Sequence, residues 1–148
     1  MDERSLLRHL TATIAYRADA ALEGAPADLA GFHAGEGART ALELCRHIAD
    51  LVEWSARLAG GPQAQPAAVA DPAADPWPAA VDRIRIACRQ LDEQLARADL
   101  SAVPVERLVQ GPLADSLTHV GQLALLRRLA GHAMAPHNYF RAEVPPAS

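Results

Sequence analysis

The sequence predicts an all-α protein, most simply a four-helix bundle, on three observations. Half of its 148 residues are apolar but only 4% are aromatic. Alanine and leucine supply most of that apolar content, and both lose little on entering a helix, whereas strands favour β-branched and aromatic residues. Apolar side chains recur at three- and four-residue steps in four segments of about twenty residues each, with no strand-like alternation and no internal repeat. Four amphipathic helices without strands bury their stripes most simply against one another. A chain of this length forms one domain, residues 1–148, large enough to bury a core without staples.

The first helix is expected from about Asp2 to Glu23, with Leu6, Leu10, Ile14, Arg17 and Ala21 along its stripe and Gly24 ending it. "EGAPADLAGFHAGEGA" then reads as a long glycine-bearing loop. The second helix runs from about Arg39 to Leu58, with Thr40, Leu44, His47, Leu51, Trp54 and Leu58 on one face, and "AGGP" stops it. "GPQAQPAAVADPAADP" is a Pro/Ala linker too poor in large apolar residues to pack well. The third helix starts near Pro76 or Pro78, since proline suits a first turn, with Asp75 as N-cap. Trp77, Val81, Ile84, Cys88, Leu91 and Leu95 form its stripe. "ADLSAVPVERLVQGP" leads to the last helix, where Pro112 again suits a first turn and Gly131 marks the stop. One ridge of that helix is Leu113, Leu117, Val120 and Ala124; the adjoining one is Ser116, His119, Leu123 and Leu126. A short C-terminal extension is expected to pack through Tyr139 and Phe140. The long first and second connections allow a topology other than simple up-down-up-down.

Bulk properties exclude several classes of function. The net charge of −4 offers no general basic surface to a phosphate backbone, so no nucleic-acid partner is expected. Every basic residue is arginine, which we read mainly as a coding bias. Cys45 and Cys88 form no CxxC pair and fall in separate helical patterns, so they read as small buried hydrophobes in a reducing compartment. The stretch "MDERSLLRHLTATIAYR" has no uninterrupted apolar core and does not read as a signal peptide. No run approaches the roughly 20 apolar residues of a membrane span. A cytoplasmic protein without a membrane partner is the expectation.

The residues with chemistry lie on the second and last helices. In "DSLTHVGQLALLRRLAG", Asp115 and His119 stand four apart and project from one face, with Gln122 near the same side. In "ALELCRHIADLVEW", His47 interrupts the apolar stripe between Leu44 and Leu51. Imidazole and carboxylate converging from facing helices is how bundles build metal sites, and two histidines with one carboxylate leave coordination positions open. Each residue also has a plainer reading. A lone histidine on an apolar face is usually a hydrogen-bonded core residue, and a carboxylate in a first turn favours the helix dipole without any metal. Glu43 and Asp50 flank His47 and could orient it or act as a base. His9, His33, His132 and His137 read as surface or hydrogen-bonding residues, and Trp54 and Trp77 as core or interface anchors. Arg127 and Arg128 read as one snorkelling and one solvated side chain. Gly121, beside His119, would let a helix or ligand approach closely.

These two segments, with the loop leading into the second helix, resemble the DinB-like (DinB/YfiT) superfamily of bacterial four-helix bundles. The likeness rests on the histidine in mid-helix and the H-x-G-Q-L…LRRLAG run, and it covers most of the chain. The resemblance implies a divalent metal held by three histidines, one on the second helix and two spaced four apart on the last. Those positions are His47, Asp115 and His119, so the chain departs from the family at Asp115. Carboxylate in place of imidazole is a harder, charged ligand, compatible with zinc, nickel, manganese or iron, and the same change would equally mark a site that has lost its metal. The resemblance further implies a homodimer and metal-dependent chemistry on a small-molecule thiol or other substrate, as a transferase, isomerase or hydrolase. The alternative expectation is a non-catalytic, stress-associated bundle or small-molecule binding protein acting as a dimer.

Overall fold

The computed structural model describes residues 1–61 and 76–147. Its helices are α1 (Glu3–Leu22), α2 (Ala41–Ala59), α3 (Trp77–Arg97), the single-turn α4 (Val105–Leu108) and α5 (Ala114–Leu129). The four long ones form an all-α four-helix bundle, and no strand occurs among the described residues. Around the bundle α1 packs on α3 and α5, and α2 packs on the same two. The consecutive pair α1 and α2 therefore lies on a diagonal, as the long connection between them permits. That arrangement sets α2 and α5 side by side, although Ala59 and Ala114 are far apart in sequence.

Local signals explain where each helix begins. The Asp2 carboxylate accepts from the Ser5 N–H at 2.7 Å and caps α1. Thr40 and Glu43 close a reciprocal capping box on α2: the Thr40 N–H donates to the Glu43 carboxylate at 2.7 Å, and the Glu43 N–H to the Thr40 hydroxyl at 3.2 Å. Pro76 precedes α3 and Pro78 sits in its first turn. Asp75, expected as the N-cap, lies outside the described residues, as does most of the Pro/Ala linker. The entry to α5 differs from expectation. Helix α4 runs into a π turn, Val109–Leu113, broken at Gly111 (φ −92°, ψ −107°), so Pro112 lies ahead of α5 and not in its first turn. The Ser116 hydroxyl reaches back to the Pro112 carbonyl at 2.7 Å and ties that turn to the helix.

The core confirms the third stripe and rotates the first. Ile84, Cys88, Leu91 and Leu95 of α3 are fully buried. On α1 the buried face is Leu7, Thr11, Ile14, Ala18 and Ala21, whereas Leu6 is 55% exposed. Leu6 and Leu7 each begin a stripe at helical spacing, and the one that runs through Thr11 and Ala18 is the one buried. On α2 the buried centre is Ala41, Leu44, Cys45, Ile48, Val52 and Ser55. His47 thus lies at the edge of that face, and Trp54, expected as an anchor, is 45% exposed. In the C-terminal extension Tyr139 packs edge-on against Tyr16 and under the Arg17 guanidinium, 4.2 Å from its ring centre. Phe140, expected to pack, is 98% exposed.

Arginines tie the bundle together. Arg8 of α1 makes a two-pronged bond to the buried Asp92 of α3, both at 2.8 Å, and Arg4 donates to the Leu95 and Ala98 carbonyls. Arg127, from the LRRLAG run, donates to the carbonyls of Ala21, Glu23 and His132, closing the end of α1 onto the end of α5. Its role is a structural clamp and not a snorkelling cover; Arg128 is exposed. The fork geometry of guanidinium suits each of these contacts.

Candidate metal centre

The side-by-side packing of α2 and α5 brings His47, Asp115 and His119 together. Their ligand atoms all lie within 4.8 Å of one another. The Asp115 carboxylate is 3.3 Å from Nε2 of His119 and 3.8 Å from Nε2 of His47. The two imidazole rings meet edge to face, 4.7 Å between centroids. Ligands about 2.0–2.2 Å from a tetrahedral ion stand about 3.4 Å apart, so the two carboxylate separations are close to those of a filled site.

Hydrogen bonding fixes which nitrogen is offered. Nδ1 of His119 lies 2.8 Å from Oε1 of Gln122, an atom that can only accept, so Nδ1 carries the proton. In the neutral ring this leaves the Nε2 lone pair facing the Asp115 oxygen. Two electron-rich atoms at that distance require a cation or a shared proton between them. Orienting a histidine through its second nitrogen is the usual support of a metal ligand. Burial, the charge of Arg39 and the neighbouring His119 outweigh the pull of Asp115 and Asp50 and hold His47 below the ordinary imidazole range. His47 is therefore neutral near pH 7, the form in which imidazole coordinates.

The site lies at the boundary of core and solvent. The side chain of His119 is 9% exposed, that of His47 30% and that of Asp115 47%. Two clefts flank it. One, of about 500 Å³, is walled by the 34–39 segment, by Leu44 of α2 and by Leu125 and Leu126 of α5, and it reaches His119 and Gln122. The other, of about 350 Å³, reaches Asp115 and is lined by Leu51, Trp54 and the Gly111–Pro112 turn. The exposed Trp54 is thus a cleft wall and not a core anchor.

Other expectations shift. Glu43 is committed to the capping box of α2. Asp50 is bound at 2.6 Å by Arg83, which also grips Glu53 with both prongs at 2.8 Å. Neither carboxylate is hydrogen-bonded to His47, and Gln122 is the residue that orients an imidazole here. A Cβ built on Gly121 meets nothing within 4 Å, so among the described residues no helix approaches that glycine closely. His9, His33, His132 and His137 are exposed, and His33 hydrogen-bonds the Gly35 carbonyl. Cys45 and Cys88 are buried and free, and burial pushes both thiols up to about 12, so neither supplies a thiolate. The Arg39 cleft wall was not anticipated, although the T-x-x-E box that starts at Thr40 places Arg39 just outside a helix, in a loop beside α5.

Fold and site together define the class: an all-α four-helix bundle with a His/Asp/His cluster between two adjacent helices. Comparisons with protein-family models, with curated proteins and with solved structures gave no match. No helix among the described residues is long and apolar enough to cross a membrane.

Proposed function

We propose that His47, Asp115 and His119 hold a divalent transition ion, and that the protein is a metal-dependent enzyme of DinB-like type acting on a small molecule. The observation that carries this reading is the convergence of three acceptor atoms, with the lone pair of His119 turned towards Asp115 by Gln122. A divalent ion in such a site lowers the pKa of a water or thiol that it binds and so provides a nucleophile near neutral pH. Three protein ligands leave room for that group, and the flanking clefts supply an approach. His119 is the buried ligand of the site and is hydrogen-bonded to Gln122. Asp115, nearly half exposed, supplies a negative charge on the solvent side. The buried cysteines leave any thiol chemistry to a thiol-bearing substrate. Transferase, isomerase and hydrolase activities all suit this arrangement, and zinc, nickel, manganese and iron all suit the donor set.

The test is elemental analysis of protein purified without a polyhistidine tag or chelator, before and after reconstitution with each of the four metals. One ion per chain is expected, lost in His47→Ala, His119→Ala and Asp115→Ala and retained in Asp115→His. A chain that holds no metal after reconstitution would overturn the proposal. A second reading draws on a different feature. Leu125 and Leu129, one turn apart on α5, are 51% and 55% exposed. That ridge favours a bundle that works as a homodimer without chemistry. Dimerisation lost on Leu129→Glu, in a chain that takes up no metal, would favour it.

A further inference from the structure

Several arginines of this bundle are already engaged by protein groups. Arg4 and Arg127 hold backbone carbonyls, and Arg8, Arg83 and Arg85 hold carboxylates. Arg39 stands exposed in the wall of the 500 Å³ cleft; it makes no hydrogen bond or ion pair within 4 Å to any described residue, though its charge is felt by Glu43 and His47. The rest of the lining is mostly aliphatic, Leu44, Leu125 and Leu126 with Ala34 and Ala38, and it also includes His119 and Gln122. A concave apolar space of a few hundred Å³ with a few placed polar groups is the ordinary form of a small-molecule site.

We propose that this cleft binds a small amphipathic carboxylate, whose acid group is held by the Arg39 guanidinium while its hydrocarbon lies on Leu44, Leu125 and Leu126. The charge complement favours an anion, and a single planar fork matches the two oxygens of a carboxylate. A phosphate dianion would call for more. The nearby start of α2 does not provide it, because the Thr40–Glu43 box already occupies donors there and brings a carboxylate of its own. The aliphatic wall excludes small, strongly hydrated anions, which gain nothing from leaving water for it. A ligand seated in this way would share the cleft with His119 and Gln122. The proposal rests on the metal-centre reading only for the chemistry done on that ligand, not for binding.

The experiment uses the full chain, stripped of metal, titrated with hexanoate, hexan-1-ol and hexylamine and followed by amide chemical shifts in NMR. Hexanoate is expected to bind at least about tenfold more tightly than the alcohol, the range of one charge-assisted hydrogen-bonded pair. Hexylamine should bind most weakly. Arg39→Gln should abolish the advantage of hexanoate over hexan-1-ol, and Arg39→Lys should restore part of it. Leu125→Ser should weaken acid and alcohol alike. Both Arg39 variants alter an exposed side chain that makes no hydrogen bond or ion pair within 4 Å to a described residue, so the helical circular dichroism should be unchanged. Equal binding of acid and alcohol, hexanoate binding unchanged in Arg39→Gln, or no binding at millimolar concentration would each overturn the proposal. Arg39-dependent binding in a chain that never takes up metal would uphold the carboxylate site and remove the metal centre. Metal uptake without Arg39-dependent binding would do the reverse.

Discussion

Gln122 and Asp115 show how much a single side chain decides in this protein. Gln122 fixes the tautomer of His119 by accepting from Nδ1. Replacing that acceptor with Leu is expected to weaken metal binding about 10–100-fold, the usual effect of losing the group that orients a ligand, while Gln122→Glu retains it. Competition with a chromophoric chelator measures this, and equal affinity in Gln122→Leu would contradict the assigned role. Asp115 was legible as a candidate from its four-residue spacing to His119. Its companion His47 was legible only as an anomaly in an apolar stripe. At Gly121 no described residue makes a close approach, and the space over its Cα is open. Gly121→Ala should therefore stabilise the protein by about 1 kcal/mol, the helix-propensity difference, as read from urea unfolding.

The start of α2 is an element that positions chemistry without taking part in it. The capping box sets where the helix begins and hence the direction in which His47 leaves it. Thr40→Ala removes the hydroxyl that accepts from the Glu43 N–H and should cost about 1 kcal/mol. The hydrogen bond from the Thr40 backbone holds the Glu43 carboxyl below its ordinary value. A depressed folded pKa means stability that is fully present above the unfolded value, near 4.5, and is lost as pH falls through the lower folded value. The stability gap between wild type and Glu43→Gln should accordingly be widest above pH 5 and close in acid; a gap that widens in acid would contradict the box. Helix α1 illustrates the limit of periodicity. Two stripes, from Leu6 and from Leu7, satisfy the same spacing, and neighbouring α3 and α5 select the second.

Across the whole molecule, adjacency rather than sequence order builds the candidate site. Because α1 and α2 are diagonal, the helix facing α2 across the site is α5. The Arg8–Asp92 pair fastens α1 to α3 and so helps to hold that arrangement. Asp92 is only 3% exposed, and removing its partner would strand a buried carboxylate. Arg8→Met should cost about 2–4 kcal/mol, less than a fully buried pair because Arg8 is partly solvated, and adding Asp92→Leu should recover most of it. A double-mutant cycle by chemical denaturation decides this, and additive losses would show that the pair is not coupled.

Helical periodicity, an Ala- and Leu-rich composition and the glycine and proline signals at the helix ends were enough to specify an all-α bundle, since these are local preferences written residue by residue. The polar residues set into apolar stripes marked His47, Asp115 and His119 as candidates on the same grounds. Which helices touch is a matter of packing among distant segments, and no local pattern encodes it. That packing turned three separate anomalies into one cluster within 4.8 Å, drew Asp50 away to Arg83, left Trp54 on a cleft wall and set Arg39 over an apolar hollow. The stretch between α4 and α5 belongs to the same group, because the π turn at Gly111 sets the entry of the helix that carries two of the three candidate ligands.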